Sequence, residues 1–332
     1  MSNPADHATA SPQPTTAPPA NRRWAVIALV ISIIFVLACL VGAKLVYDNE
    51  RLAPVGVAYY PAPHADDDQC SSLITALPED IGDFTRVPII DPAPAGVAAF
   101  AMDSTTRITV RCGVDMPLQY TELSDTVDTG AITWLEVTDP TPGSDLASYY
   151  TTNRFPVVVV TTTGARQQQS TGPLTAVAGA ADALSPTEQD THPVPLSDLP
   201  ADDTQPMPVC DAVIDALPDT LGGSANYRRV DEATLSRAGV PQPAAAWVSR
   251  GLEPVVVRCG VANSPAVVPG ATLQQVDDIA WFQDTVLNNG TTSGTWYSQG
   301  RDTTVAASVP QPVAATVMLE ISQAVAATTG TR

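Results

Sequence analysis

Lysine and histidine are scarce in this sequence of 332 residues, and the shortage limits the chemistry that it can perform. The single lysine is Lys44, and the three histidines are His7, His64 and His192. None of them lies inside either of the two cysteine-bearing segments that are predicted below to fold. A Ser-His-Asp, Cys-His or Ser-Lys arrangement within a domain is therefore excluded, because each needs a histidine or lysine as the base beside its nucleophile.

Basic charge and known catalytic motifs are missing as well. The chain has 16 Lys and Arg residues against 35 Asp and Glu residues, with a net charge of -19. Nucleic acid is not a predicted partner, because phosphate binding depends on Lys and Arg. The sequence contains no GxSxG, HExxH, P-loop or CxxC pattern. It predicts no catalytic residue, no metal ligand and no cofactor, and we expect the protein not to be an enzyme.

What the sequence does contain is a tandem duplication. Cys70-Ser-Ser-Leu-Ile-Thr-Ala-Leu-Pro78 returns as Cys210-Asp-Ala-Val-Ile-Asp-Ala-Leu-Pro218, and Val110-Arg-Cys-Gly-Val114 returns unchanged as Val257-Arg-Cys-Gly-Val261. Residues 100–154 correspond to residues 247–301 at a constant offset. We therefore predict two repeat domains, at residues 70–184 and 210–328.

An apolar stretch at residues 24–46 precedes the repeats. Its first 20 residues carry no charge, and an α-helix of about that length crosses roughly 30 Å of hydrocarbon. The stretch predicts a transmembrane helix whose partner is the lipid bilayer. Arg22 and Arg23 precede it, whereas Asp48 and Glu50 follow it, so the positive-inside rule places the N-terminus in the cytoplasm. We expect a single-pass protein of the cell membrane with extracytoplasmic C-terminal domains.

Three segments outside the helix and the repeats have a low-complexity or Pro- and Asp-rich composition. Residues 1–23 are predicted to be a disordered cytoplasmic tail. Residues 47–69 form a spacer and residues 185–209 a linker, both predicted to be extended and solvated.

Two alternatives to a plain membrane anchor stay open. The apolar stretch could be a cleaved signal peptide, or Cys39 could be lipidated, since Val36-Leu37-Ala38-Cys39 is similar to a lipobox. The stretch is longer than the apolar core of a signal peptide, and the residues after Cys39 stay apolar. Both observations favour the uncleaved helix.

Within each repeat the hydrophobic pattern predicts an α+β domain. Cys70, Leu73, Ile74 and Leu77 follow the spacing of an amphipathic helix, and proline ends it. Alternation around Val110 predicts a central strand that ends at a glycine. Further strands are predicted at 87–90, 132–137 and 155–161, with counterparts at 227–230, 279–282 and 303–309, and closing helices at 172–184 and 313–327. We expect an antiparallel sheet of three or four strands, covered on one face by the two helices.

Four of the five cysteines occupy equivalent positions in the two repeats. Three pairings are possible, but only Cys70 with Cys112 and Cys210 with Cys259 lets each repeat fold alone. The sequence therefore predicts two structural disulfides, which are typical of an exported protein. Trp134 and its counterpart Trp281 are predicted to pack in the core beside the bridges.

Arginine and aromatic residues recur at matching places and provide the candidate ligand-binding positions. Arg154 and Arg301 open the last predicted strand, shortly after aromatic pairs that include Trp296 and Tyr297, and Arg258 directly precedes a cysteine. A guanidinium offers a planar fork of donors for a carboxylate or phosphate. The competing interpretation is structural, with each arginine paired to a carboxylate or stacked on a ring.

Carboxylates leave one catalytic alternative open. Paired Asp or Glu residues suffice for a glycosidase, but Glu79-Asp80 corresponds to Asp219-Thr220, so only one carboxylate position is shared. The acidic runs at 66–68 and 202–203 lack the ligand spacing of a calcium loop and are interpreted as solvated charge.

The combination of these motifs resembles an uncharacterised family of membrane-anchored, exported actinobacterial proteins, the domain of unknown function numbered thirty-five fifteen. The resemblance rests on the cysteine-led helix ending in Ala-Leu-Pro, the Arg-Cys-Gly-Val strand, the tryptophan strand and the arginine that follows, and it is strongest for residues 210–328. The first repeat departs from it with Phe100 in place of Trp247 and without an Arg-Arg pair. The resemblance implies no activity.

Taken together, these patterns favour a non-catalytic binding or accessory module of the cell envelope, with an envelope protein or ligand as its partner. One alternative is a carboxylate-dependent hydrolase that acts on an envelope polymer. Another is a scaffold of a division or secretion complex.

Overall fold

The computed structural model describes residues 22–51, 53–141, 143–164, 172–284 and 291–332. It divides into two compact units, residues 1–50 and 51–332. The predicted tail at residues 1–23 lies outside the described residues except for its last two.

The first unit contains one long helix, α1 (Arg22–Arg51). Its segment Arg23–Val46 has a mean hydropathy of 3.1. The leucine, isoleucine and valine side chains along this segment are exposed. By length and composition, the helix can cross a membrane.

The second unit contains two antiparallel sheets of the same design, one for each repeat, called here the first and second copy. The sheet of the first copy has the strand order β1-β2-β3-β4-β9-β7-β6-β5. Its strands are β1 (Asp80–Ile81), β2 (Phe84–Val87), β3 (Val97–Ala101), β4 (Arg107–Val114), β5 (Thr126–Thr129), β6 (Ile132–Thr138), β7 (Ala147–Thr151) and β9 (Val157–Thr163). A separate short pair joins β8 (Arg154–Phe155) to β10 (Ser185–Pro186).

The sheet of the second copy has the equivalent order, β11-β12-β13-β14-β18-β17-β16-β15. Its strands are β11 (Thr220–Leu221), β12 (Tyr227–Arg229), β13 (Ala244–Val248), β14 (Val255–Cys259), β15 (Gln274–Val276), β16 (Ile279–Asp284), β17 (Ser293–Gln299) and β18 (Val305–Pro310). The predicted α+β class is confirmed, although each sheet has eight strands rather than three or four. Two-residue strands such as β1 and Ser- or Gly-containing strands such as β17 carry too little hydrophobic alternation to be recognised from sequence.

Two helices cover one face of each sheet. They are α2 (Asp68–Ala76) and α3 (Gly172–Ala181) in the first copy, and α4 (Met207–Ala216) and α6 (Ala314–Thr328) in the second. The second copy also has a short helix, α5 (Glu232–Arg237). Trp134 and Trp281 are fully buried in these cores. Their indole nitrogens donate to Thr129 Oγ1 at 2.6 Å and Ser322 Oγ at 2.9 Å, so neither buried N–H lacks an acceptor.

Both predicted disulfides are confirmed. Cys70 bonds to Cys112 and Cys210 bonds to Cys259, and each bridge ties the first helix of a copy to its central strand, β4 or β14. The bridges span 42 and 49 residues. In the chain-entropy account, closing a loop of that length lowers the entropy of the unfolded chain and stabilises the fold by about 4 kcal/mol. The remaining cysteine, Cys39, is free on α1.

The outer face of each sheet is covered by the segment that leads into the first helix. We call residues 53–67 the first strap and residues 192–205 the second strap. Val55 and the partly buried Ala62 pack on the first sheet, while Val194 and Leu196 are buried on the second. Most residues of the first strap are exposed, as a solvated spacer predicts, but Val55, Val194 and Leu196 are buried. A few apolar side chains among prolines and aspartates are enough to hold each segment on its sheet.

Glycine at the end of each central strand allows the strap to approach closely. Gly113 has φ +88° and Gly260 has φ +71°. The Gly113 carbonyl accepts from His64 N at 3.0 Å, and the Gly260 carbonyl accepts from Asp202 N at 2.9 Å. A Cβ on Gly113 would overlap the main chain of His64 and Ala65, so only glycine fits.

We expect Gly113→Ala to lower the free energy of unfolding by about 2 kcal/mol or more, because it combines left-handed strain with displacement of the first strap. Gly82→Ala is the matched control, since Gly82 also has a positive φ, +59°, but has nothing within 4 Å of its Cβ position. Chemical denaturation of both variants measures the difference. Equal losses in the two variants would contradict the role given to the strap.

Candidate functional site

Arg258 lies under the second strap and does not face an open surface. It is 2% exposed, and its Nη1 donates to the carbonyls of Leu196 at 2.8 Å and Leu199 at 2.7 Å. Burial lowers the pKa of this guanidinium. Its counterpart Arg111 donates to the carbonyl of Ala58 in the first strap at 3.3 Å. Both arginines therefore hold straps, which supports the structural interpretation.

Arg154 and Arg301 each bind the residues that directly follow the last helix of their copy. Arg154 Nη2 lies 2.9 Å from Asp182 Oδ1, just after α3. Arg301 donates to the carbonyls of Thr329 at 3.2 Å and Asp278 at 2.9 Å. Each guanidinium therefore binds a carboxylate or main-chain carbonyls of its own copy.

Trp296 and Tyr297 point to opposite faces of the second sheet, as neighbours on a strand must. Trp296 belongs to the core beneath the helices, and Tyr297 to the core beneath the second strap. Burial, with a smaller contribution from the Asp284 charge, raises the pKa of Tyr297 to about 12. The five candidate residues are thus spread over separate parts of the two copies and do not form one site.

A cleft between the two copies brings together a different set of residues. It has a volume of about 300 Å³. The loop 118–121 of the first copy and residues 192–199 of the second strap line it, together with residues of the second copy around Glu253 and on β17 and β18. We call this cavity the interdomain cleft. It exists only because two copies and their linker pack side by side.

The walls of the interdomain cleft are apolar and part of its surface is polar. The second strap contributes Pro193, Val194, Pro195, Leu196 and Leu199 to the wall. Part of the polar surface comes from neighbouring strands, with Thr295 of β17 paired in register with Ser308 of β18. The second strap adds Ser197 and the carboxylate of Asp198. An apolar wall with a few convergent polar groups is the usual composition of a small-ligand site.

Glu253 is the buried carboxylate of this cleft. It is 7% exposed. Its Oε1 accepts from the Thr292 main-chain nitrogen at 2.8 Å and from Thr292 Oγ1 at 3.0 Å, and its Oε2 accepts from the Ser293 hydroxyl. Its main-chain carbonyl accepts from the Tyr227 hydroxyl at 2.9 Å. Burial, and secondarily the Glu253 charge, raises the pKa of Tyr227.

Glu253 has no cationic partner among the described residues. The ion pairs in this part of the chain are Arg154 with Asp182 and Arg250 with Glu136. Buried carboxylates are ordinarily paired or coordinate a cation. The position is also particular to the second copy, because Thr106 occupies it in the first. The interdomain cleft therefore presents a carboxylate whose counter-charge the described residues do not supply.

Contacts across the boundary hold the two copies together beside the cleft. Arg250 Nε lies 2.5 Å from Glu136 Oε2. The Gly251 carbonyl accepts from the main-chain nitrogen and the hydroxyl of Thr138, at 2.8 and 3.1 Å. A Cβ on Gly251, whose φ is +74°, would lie 2.7 Å from Thr138 Cγ2. The close approach that positions Glu253 depends on this glycine.

His192 lines the interdomain cleft, although the sequence placed it in a solvated linker. Its main-chain nitrogen donates to the Tyr120 carbonyl at 2.8 Å, which brings the linker onto the first copy. His192 lies outside both repeats in the sequence, as expected, but the structure places it against the first copy. Within the described residues, the His192 ring makes no hydrogen bond to a serine hydroxyl or a carboxylate.

Sequence reasoning missed Glu253 because it searched for residues that both copies keep. The available signal was the opposite one, a carboxylate at a matched offset where the first copy has Thr106. A difference between repeats becomes informative only when the structure shows that the position faces the other copy.

Comparison with known proteins gives a family and no function. A family model described as a protein of unknown function, DUF3515, matches the chain twice, over residues 29–183 and 171–332. Each match includes a strap, a cysteine-led helix and the sheet that follows. No curated protein and no solved structure matches the chain.

The contacts of Arg258 generate a stability prediction. We expect Arg258→Met to lower the free energy of unfolding by about 1–3 kcal/mol, because two strap carbonyls lose their donor. Arg228→Met, at an exposed position of β12, should change stability by no more than about 0.5 kcal/mol. Denaturant unfolding of the two variants tests this, and an unchanged stability of Arg258→Met would show that the strap is held without the guanidinium.

Proposed function

Since the chain belongs to the DUF3515 family of proteins of unknown function, we propose a function from its own geometry: it is a membrane-anchored, extracytoplasmic binding protein. The interdomain cleft is its ligand site. The buried Glu253 carboxylate without a cationic partner is the observation that carries this proposal.

The location outside the cytoplasm is supported by two independent features. Helix α1 is long and apolar enough to anchor the chain, and two arginines precede its apolar segment. The two disulfides are typical of proteins that fold in an oxidising compartment. A single-pass anchor with a cytoplasmic N-terminus accounts for both.

The chemistry of the cleft favours a ligand that carries an ammonium group beside an apolar chain. The ammonium group would meet the Glu253 carboxylate, whose desolvated position strengthens the attraction. The apolar chain would lie against the prolines and aliphatic residues of the second strap. The net charge of -19 also favours the approach of cations. We propose that this ligand is a component of the cell envelope.

A non-catalytic role is supported by how the hydroxyl groups of the cleft are used. The Ser293 hydroxyl and the Thr292 hydroxyl both donate to the Glu253 carboxylate, as part of one local hydrogen-bond network. Thr295 and Ser308 occupy adjacent strands at a place where the first copy has the hydrogen-bonded pair Ser148 and Thr161, 3.0 Å apart. Hydroxyls that recur at equivalent strand positions favour a role in the fold.

We predict that the full chain in detergent micelles binds n-hexylammonium more tightly than n-hexanol, and n-hexanol more tightly than hexanoate. Glu253→Gln should weaken n-hexylammonium binding at least about tenfold, or 1.4 kcal/mol, and leave n-hexanol binding nearly unchanged. Isothermal titration calorimetry measures all three ligands.

Glu122→Gln is the matched control for charge. Glu122 is exposed, accepts from Thr191 Oγ1 at 2.8 Å, and follows Thr121 at the edge of the cleft. The Glu122→Gln substitution removes one negative charge near the cleft, as Glu253→Gln does, but leaves the buried Glu253 carboxylate in place. Equal weakening by the two variants, or the same affinity for all three probes, would overturn the proposed site.

A further inference from the structure

The indole nitrogen of Trp296 is a buried donor with no acceptor among the described residues. Trp296 is 5% exposed, and its Nε1 has no hydrogen-bond partner. By contrast, Trp134 and Trp281, which occupy equivalent positions in the two copies, donate their indole N–H to hydroxyl groups. Buried polar groups without a partner are uncommon, because each loses its hydration without compensation.

The side-chain amide nitrogens of Gln283 and Gln311 lie near the Trp296 indole nitrogen, beside Gly294. Gln283 Nε2 and Trp296 Nε1 lie 2.8 and 3.1 Å from the position that a Cβ on Gly294 would take, and Gln311 Nε2 also lies against that position. Gln283 Oε1 accepts from Gln274 Nε2 at 3.1 Å, which directs the amide nitrogen of Gln283 towards Gly294. The cluster therefore presents donors to one spot.

The start of the closing helix adds to this polarity. Gln311 opens a short 3-10 turn that leads directly into α6, and no side chain caps the first N–H groups of either element. The N-terminus of a helix carries partial positive charge and favours an anion. Gln311 is exposed, so the cluster can be reached from solvent at this end.

The equivalent positions of the first copy contain both a hydrogen-bond donor and a carboxylate acceptor. Glu136 pairs with Tyr149 across β6 and β7, in the same register as Gln283 with Trp296 across β16 and β17. The Tyr149 hydroxyl donates to Glu136 Oε1 at 3.2 Å. The first copy thus has its own carboxylate as the acceptor, whereas the second copy replaces it with the Gln283 amide and keeps donors.

We propose that the second copy binds an external carboxylate at Trp296, Gln283 and Gln311, in the place that the Glu136 carboxylate occupies in the first copy. Gly294, where the first copy has Ala147, allows these nitrogens to approach the strand closely. Gly294 and Trp296 face the helices, and Thr295 faces the interdomain cleft, so this site lies on the opposite face of the sheet from Glu253. The inference does not rest on the proposed function.

Fluorine NMR of the full chain in detergent micelles, labelled with 5-fluorotryptophan, tests the proposal. The chain has five tryptophans, and Trp296→Phe identifies the signal of Trp296. Sodium acetate up to roughly 100 mM, a range that covers weak millimolar binding, should shift that signal saturably at constant ionic strength. The other four signals should stay in place and report that the fold is intact.

Gln283→Glu supplies the missing carboxylate from within the chain and should weaken the acetate response at least about tenfold. Gln275→Glu adds the same charge at an exposed position of the neighbouring strand β15 and should leave the response unchanged. The absence of a saturable shift at Trp296, or an equal response in Gln283→Glu and the native chain, would overturn the proposal.

Discussion

Each copy of this protein depends on three consecutive residues at the end of its central strand, Arg-Cys-Gly at 111–113 and 258–260. The cysteine bonds the first helix to one face of the sheet. The arginine side chain and the glycine carbonyl bind the strap on the other face. Side chains alternate along a strand, so one short sequence can secure both layers of the domain. This explains why it returns unchanged in the second copy.

The straps also explain how two packed copies form a cleft that neither copy would have alone. The second strap connects the copies, covers the second sheet and forms the apolar wall of the interdomain cleft. Glu253 then appears at a position where the first copy has Thr106. The two copies also differ on the sheet face that the helices cover, where the second copy has Gln283 and the first has Glu136. The two copies are scaffolds of the same design that differ by one charged acceptor at each of these two places.

The sequence was sufficient for the features that local pattern and pairing determine. The disulfide pairing, the cysteine-led helices and the α+β class follow from repeat positions and hydrophobic spacing. The straps could not be predicted, because their few apolar residues, such as Val55 and Leu196, have no periodicity and gain their burial from a distant sheet. The arginines were recognised as important, but their acceptors are carbonyls brought together only by the fold. Glu253 was missed for the same reason, since its environment is made by segments far apart in the chain.

Hydrogen–deuterium exchange of the full chain, with and without n-hexylammonium, tests the central claim that the ligand site is the cleft formed by the second strap. The repeat provides an internal control, because both straps cover equivalent sheet faces but only the second lines the cleft. Slower exchange at residues 194–199 and 293–295, with unchanged exchange at residues 57–62, is the predicted result. Equal protection of both straps, or protection of neither, would contradict the account.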